Sequence, residues 1–185
     1  LSHHSIPIHR DLVQKAKLED SSAQYELYKL YQGAMFNVAH RIMGDEMDAE
    51  DVLQDAFVSA FQNLEQYRED ASFGAWLKRI VINKSLNAIK KRDRVPTDAL
   101  EIDTVDFEYE WEDIPDRDLE VSQVMQAIER LPDGFRTVLS LYLFEGYDHK
   151  EIAEILEISV STSKTQYNRA KKKIREMIYQ EVKYG

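Results

Sequence analysis

In residues 161–173 the chain sets Ser161, Thr162, Lys164, Thr165, Gln166, Asn168 and Arg169, followed by Lys171, Lys172 and Lys173, at spacings that a 3.6-residue period gathers onto one side of a helix. Gln, Asn and Arg carry paired donors and acceptors that match base edges in the major groove of a duplex, whereas Ser, Thr and Lys chiefly hold phosphates. The other side of that helix is apolar: Tyr167, Ala170, Ile174, Met177 and Ile178, with Ser163 where a further apolar residue is expected. A second basic run, residues 76–94, holds Lys78, Arg79, Lys84, Lys90, Lys91, Arg92 and Arg94 against Asp93 alone. It is preceded by Tyr67, Arg68, Phe73 and Trp76, and aromatics beside cations suit unstacked bases, each stack contributing about 1 to 3 kcal/mol. Phe73 and Trp76 share helical spacing with Leu77 and Ile80 and read first as core, which leaves Tyr67 and Arg68, in a loop, as the better base-stacking candidates. The chemistry on offer is non-covalent recognition. No phosphate loop, metal-ligand spacing or nucleophile with a partnered base is visible, so no catalytic residue, metal or cofactor is expected.

The elements that must position these residues are helices. Gly and Pro are scarce, at 6 and 4, and no segment alternates apolar and polar long enough for a sheet. A first helix over residues 22–43 carries the stripe Leu27, Leu30, Tyr31, Ala34, Met35, Val38, Ala39 and Ile42, with Gly44 as its C-terminal cap. Asp48 is expected to cap the next helix, with Glu50 and Asp51 at its positive end and Val52, Ala56, Phe57, Ala60, Phe61 and Leu64 on its apolar face. A polar loop over 66–72 leads to a third long helix, 73–91, and Pro96 closes the module. Further on, short helices are expected over 121–130 and 134–144. Asp148-His149-Lys150-Glu151 is a capping-box start for a helix carrying Ile152, Ala153, Ile155 and Leu156. Ser159 caps a last helix reaching about residue 179. Two helices joined by a short turn, the second ending in a basic run, form a helix-turn-helix pattern.

The formal net charge of -10 belongs to one stretch. Residues 95–120 hold eleven acidic side chains and only Arg117 as a base, while residues 1–94 and 121–185 carry -1 and +1. An acidic chain of this kind therefore does not exclude nucleic acid as a partner. The organisation expected is a tail and helix start over 1–21, a helical domain over 22–94, an acidic extended linker over 95–120 and a second helical domain over 121–185. Each domain is small and buries only about 60% of its unfolded surface. Phe107, Tyr109 and Trp111 alternate with Glu108, Glu110 and Glu112, which resembles a docking segment more than an inert spacer. With Cys 0, disulfides and thiolate metal sites are excluded. No apolar run suits a bilayer and the start lacks a signal-peptide pattern, so a soluble, cytoplasmic protein without membrane insertion is expected. His3, His4 and His9 read as a chain end rather than a metal site.

Four segments together resemble the bacterial sigma factors of the extracytoplasmic-function (ECF) group. Asp48-Ala49-Glu50-Asp51-Val52-Leu53-Gln54-Asp55-Ala56-Phe57 is similar to the family's polymerase-binding helix, and Ser72-Phe73-Gly74-Ala75-Trp76-Leu77-Lys78-Arg79-Ile80 to its promoter-melting segment. Ala127-Ile128-Glu129-Arg130-Leu131-Pro132 and Glu151-Ile152-Ala153-Glu154-Ile155-Leu156 resemble the opening of the second domain and its helix-turn-helix. The resemblance implies an all-α chain of two small domains, a region 2 helical bundle and a region 4 helix-turn-helix. It implies docking on core RNA polymerase through Asp48, Glu50, Asp51, Gln54 and Asp55. It also implies minus-ten recognition and melting through Tyr67, Arg68, Ser72, Phe73, Trp76, Arg79 and Asn83. Minus-35 reading would use Ser161, Thr162, Lys164, Thr165, Gln166, Arg169, Lys172 and Lys173. Promoter DNA, core polymerase and an anti-sigma factor are the implied partners of a chain that is monomeric when free, and the polymerase supplies the catalysis. Three positions depart from the family: Glu157 where Gly is usual in the turn, Ser163 for a core Val, and Gln166 for a common Arg. The linker's 26 residues form a coil of roughly 28 Å and stretch to about 85 Å, against about 70 Å for two turns of DNA. The rival reading from the residues is a stand-alone helix-turn-helix regulator, which would bind duplex DNA without polymerase.

Overall fold

The computed structural model of the chain describes residues 9–92 and 121–184. The readings made of His3, His4, Pro96 and the acidic stretch 95–120 lie outside the described residues. The chain divides into two compact units, Leu1–Ile89 and Lys90–Gly185, and every regular element among the described residues is helical.

The first unit contains α1 (Arg10–Lys17), α2 (Ser21–Met43), α3 (Glu46–Gln62), a 3-10 turn (Leu64–Gln66) and most of α4 (Phe73–Arg92). Residues expected as a tail thus form a helix of their own, α1, which buries Val13 and Ala16. Asp20 separates it from α2, its carboxylate accepting from the backbone of Ser22 at 2.9 Å and Ala23 at 3.2 Å. Along α2, Ala23, Leu27, Met35, Val38, Ala39, Ile42 and Met43 are buried. Leu30 and Ala34 are exposed instead, because they lie on the flank of the stripe opposite Met35, Ala39 and Met43. Gly44 ends the helix in the left-handed conformation expected of it, with φ 69°.

One assignment changes at α3, while α4 starts at Phe73 as expected. The cap of α3 is Asp45, whose side chain accepts from the Asp48 backbone at 3.0 Å, so Asp48 sits in the first turn instead of preceding it. Either acid offers the same chemistry, but only Asp45 directly follows the Gly44 reversal that leaves its backbone extended. The α4 start is held by Ser72, whose Oγ accepts from the Ala75 backbone at 3.2 Å. Gly74 lies against the Tyr31 ring of α2: a Cβ there would stand 2.8 Å from Cε1 of Tyr31. The core is completed by Val52, Ala56, Phe57, Ala60, Leu64, Phe73, Leu77, Val81, Ile82 and Ile89.

The second unit contains α5 (Val121–Glu129), α6 (Asp133–Leu143), α7 (His149–Leu156) and α8 (Val160–Tyr184). Ile128, Leu131, Leu139 and Ala170 form its apolar centre, with Val124, Met125, Phe135, Tyr167, Ile174 and Met177 packed around them. α8 runs alongside α5, α6 and α7, so one long helix supplies a wall of the core along its inner face.

Candidate nucleic-acid interface

Both helices of the α7–turn–α8 unit start at a side-chain cap. Oδ1 of Asp148 accepts from the backbone of Lys150 at 2.7 Å and Glu151 at 2.9 Å, while the Asp148 backbone donates to Glu151 Oε2 at 2.8 Å. Those backbone donors, Glu151 first and then Lys150, hold the Asp148 carboxyl below its usual range. Glu157 closes α7 at φ 57° and ψ 40°, a left-handed geometry, at the position where Gly is usual in the family it resembles. Ser159 Oγ then accepts from the Thr162 backbone at 2.9 Å and starts α8.

The inner side of α8 is set by one polar contact and one aromatic group. Ser163 is fully buried, and its hydroxyl lies 2.9 Å from Nδ1 of His149. Tyr142 stacks on the His149 ring at 4.7 Å and leans on Tyr167 at 4.6 Å. Lys171 Nζ stands 4.7 Å from the Tyr167 ring centroid. The departure at Ser163 therefore has a local partner: a hydroxyl replaces a hydrocarbon because α7 presents an imidazole.

With that side turned in, Ser161, Lys164, Thr165, Asn168, Lys172 and Lys173 are exposed, and Thr162, Gln166, Arg169 and Lys171 are half-buried. The Thr162 hydroxyl is engaged with Ser159 Oγ at 2.8 Å, and Lys172 stands 3.9 Å from Glu176. Successive exposed donors thus line about three turns of one helix, a geometry fitted to a groove.

In the first unit, Glu50, Asp51, Gln54 and Asp55 are exposed along one side of α3 and Asp48 is half-buried. Met47 and Val58, 76% and 55% exposed, lie on the same side. Of the residues grouped near the basic helix, Arg68, Ser72, Arg79 and Asn83 are exposed. Tyr67 is not the free loop aromatic expected of it. It is only 4% exposed, packed edge-on to Phe73 and tilted against Trp76 at 5.4 Å. Its hydroxyl donates to the Ala71 carbonyl at 2.7 Å, and burial pushes the phenol above its ordinary pKa. Phe73 is buried and Trp76 half-buried, as their core spacing indicated.

Sequence reasoning passed over a set of residues beside this loop. Arg10 Nε is 3.1 Å from Glu69 Oε2, and Gln14 Nε2 donates to Glu69 Oε1 at 2.7 Å. Lys17 Nζ donates to the Tyr67 carbonyl at 2.9 Å. The signal available was the spacing of Arg10, Gln14 and Lys17, one face of a helix over two turns.

The Sigma-70 region 2 family matches residues 27–95, and Sigma-70, region 4 matches residues 122–174. The RNA polymerase sigma-H factor of Pseudomonas aeruginosa is 31% identical over 89% of this chain and 91% of its own length. The ECF RNA polymerase sigma factor SigW of Bacillus subtilis is 29% identical over 90% and 94%. Among solved structures, the sigma factor RpoE in complex with the anti-sigma factor NepR from Bartonella quintana shares the fold, with a TM-score of 0.56 at 21% identity over 84% of this chain and 96% of that one. Two matched regions falling in two separate helical units, and relatives aligned over nearly their whole length, place this chain in the family of ECF RNA polymerase sigma factors.

Proposed function

We propose that this chain binds core RNA polymerase through α3 of the first unit, opens and reads the minus-ten element around α4, and reads the minus-35 element through α8. The observation that carries the reading is the division of α8: Ser163, Ala170 and Ile178 are buried while Ser161, Lys164, Thr165, Asn168 and Lys172 face outward on a capped helix-turn-helix. In the major groove Gln166, Asn168 and Arg169 face base edges, with Gln166 favouring adenine, and Lys164, Lys172 and Lys173 hold phosphates. The carboxylates of Glu50, Asp51 and Asp55 suit a basic surface on the polymerase. At the minus-ten element Arg68, Ser72, Arg79 and Asn83 are the outward groups, and Tyr67 with Phe73 and Trp76 forms the packed floor beneath them. An anti-sigma protein belongs among the partners, as in the RpoE complex, and would act by covering these outward faces.

Transcription reconstituted with core polymerase on a pool of promoter fragments tests the reading, alongside gel shifts with and without core enzyme. Specific shifts and transcripts are expected only when core enzyme is present. A specific shift of a palindromic duplex by the chain alone would instead identify a stand-alone regulator.

A further inference from the structure

The loop between the 3-10 turn and α4 is fastened twice. Its own bonds hold its base: Tyr67 is packed on Phe73 and Trp76, its hydroxyl donates to Ala71, and Ser72 caps α4. Its tip is held by a different element. Glu69 has φ 62°, a backbone conformation that a non-glycine residue adopts at a cost. Each of its carboxylate oxygens takes one partner from α1, Oε1 from Gln14 at 2.7 Å and Oε2 from Arg10 at 3.1 Å. One turn further, Lys17 donates to the Tyr67 carbonyl and lies 5.7 Å from the Tyr67 ring centroid.

The geometry points to α1 as a positioning element for the minus-ten loop: Arg10, Gln14 and Lys17, acting through Glu69 and the Tyr67 carbonyl, select the loop conformation from which Arg68 meets an unstacked promoter base. The inference rests on the proposed minus-ten role of this loop. A purely structural role accounts poorly for the arrangement, because Glu69 adds nothing to the apolar core and the loop's base is anchored without it. Partly exposed pairs of this kind are individually weak. Three of them converging on Tyr67 and Glu69 bias which conformer the loop holds, while α1 stays attached through Val13 and Ala16.

The test uses full-length chain in holoenzyme with core polymerase, on fork-junction DNA whose minus-ten non-template strand is single-stranded. Base discrimination is measured position by position through competition between substituted strands. The variants are Arg10→Ala with Gln14→Ala, Glu69→Gln, the exchange Arg10→Glu with Glu69→Arg, and Arg68→Ala as the loop control. For the α1 pair and for Glu69→Gln, melting temperature and affinity for core polymerase are expected to stay at the parent values. Discrimination at the base affected by Arg68→Ala should fall about 5- to 10-fold, and the charge exchange should restore most of it. Unchanged discrimination in both α1-loop variants, with a clear loss in Arg68→Ala, overturns the positioning role and leaves the minus-ten reading intact. No change in any variant, Arg68→Ala included, overturns that reading together with the inference. If the α1 pair unfolds, Glu69→Gln and the exchange decide, since neither touches the Val13 and Ala16 packing.

Discussion

In the first unit the fully buried large side chains are hydrocarbon: Val13, Leu27, Ile42, Phe73, Leu77, Val81 and Ile82, beside Ser85, whose hydroxyl donates to the Val81 carbonyl of its own helix. The second unit buries Arg136, Thr137, Ser140 and Ser163 among Leu139, Leu141 and Ile152. Arg136 is the extreme case. Its guanidinium donates to the carbonyls of Leu131 at 2.6 Å and Glu129 at 3.2 Å and to the Asp133 carboxylate, joining the end of α5 to the start of α6. Burial lowers its pKa against the opposing pull of Asp133. The first interior rests on packing, which tolerates changes of side-chain shape at modest cost. The second rests on hydrogen bonds whose loss leaves buried partners unsatisfied. A small unit whose described residues form short helices around few apolar layers gains from such a fastener because it fixes one arrangement of them.

The largest effect should come from cutting that fastener. Arg136→Met leaves two carbonyls without their donor and removes one of the two partners of Asp133 and should cost about 3 to 5 kcal/mol, while Leu77→Ala in the first unit should cost about 2 to 5 kcal/mol through its cavity. Chemical denaturation followed by residue-level hydrogen exchange should show each loss confined to its own unit. Equal loss of protection in both units would break the contrast. Next in size is the His149–Ser163 contact. His149→Ala leaves the buried Ser163 hydroxyl without its partner and removes a ring packed against both Tyr142 and Tyr167, for a loss of about 1 to 2 kcal/mol. Ser163→Val removes the polar group itself and should be nearly neutral. A loss from the valine variant as large as from the alanine variant would show that the contact does more than satisfy the hydroxyl. The smallest effect is a gain: Glu157→Gly relieves a left-handed residue and should raise stability by about 0.5 to 1 kcal/mol in thermal melts. No gain, or a loss, would show that the Glu157 side chain offsets the strain.

Much of this architecture was legible because short polar side chains announce helix ends. Gly44, the Asp148–Glu151 box and Ser159 follow from local backbone chemistry that a sequence displays directly, whereas nothing in a Glu announces the left-handed backbone of Glu157. α1 was passed over because eight residues are fewer than the window in which a helical period stands out, although Val13 and Ala16 on one side and Arg10, Gln14 and Lys17 on the other give it two faces. The inward turn of Tyr67 depends on a carbonyl four residues away, and no residue type announces a backbone acceptor. The outward face of α8 was legible from its opposite: once Ala170 and Ile178 are inside, the remaining positions follow from the helical period. The partial burial of Gln166 and Arg169 was not, because it depends on neighbouring elements rather than on α8 itself.

The contact between Tyr67 and Trp76 gives the protein a built-in optical gauge. The chain has 2 tryptophans, Trp76 and Trp111. Exchanging Trp111 for phenylalanine leaves one emitter, half-buried and within 6 Å of both the Tyr67 and Phe73 rings. Any motion that lifts Tyr67 from its seat alters the surroundings of that indole, so rearrangement of the loop can be timed by emission from the native side chain, without an attached dye.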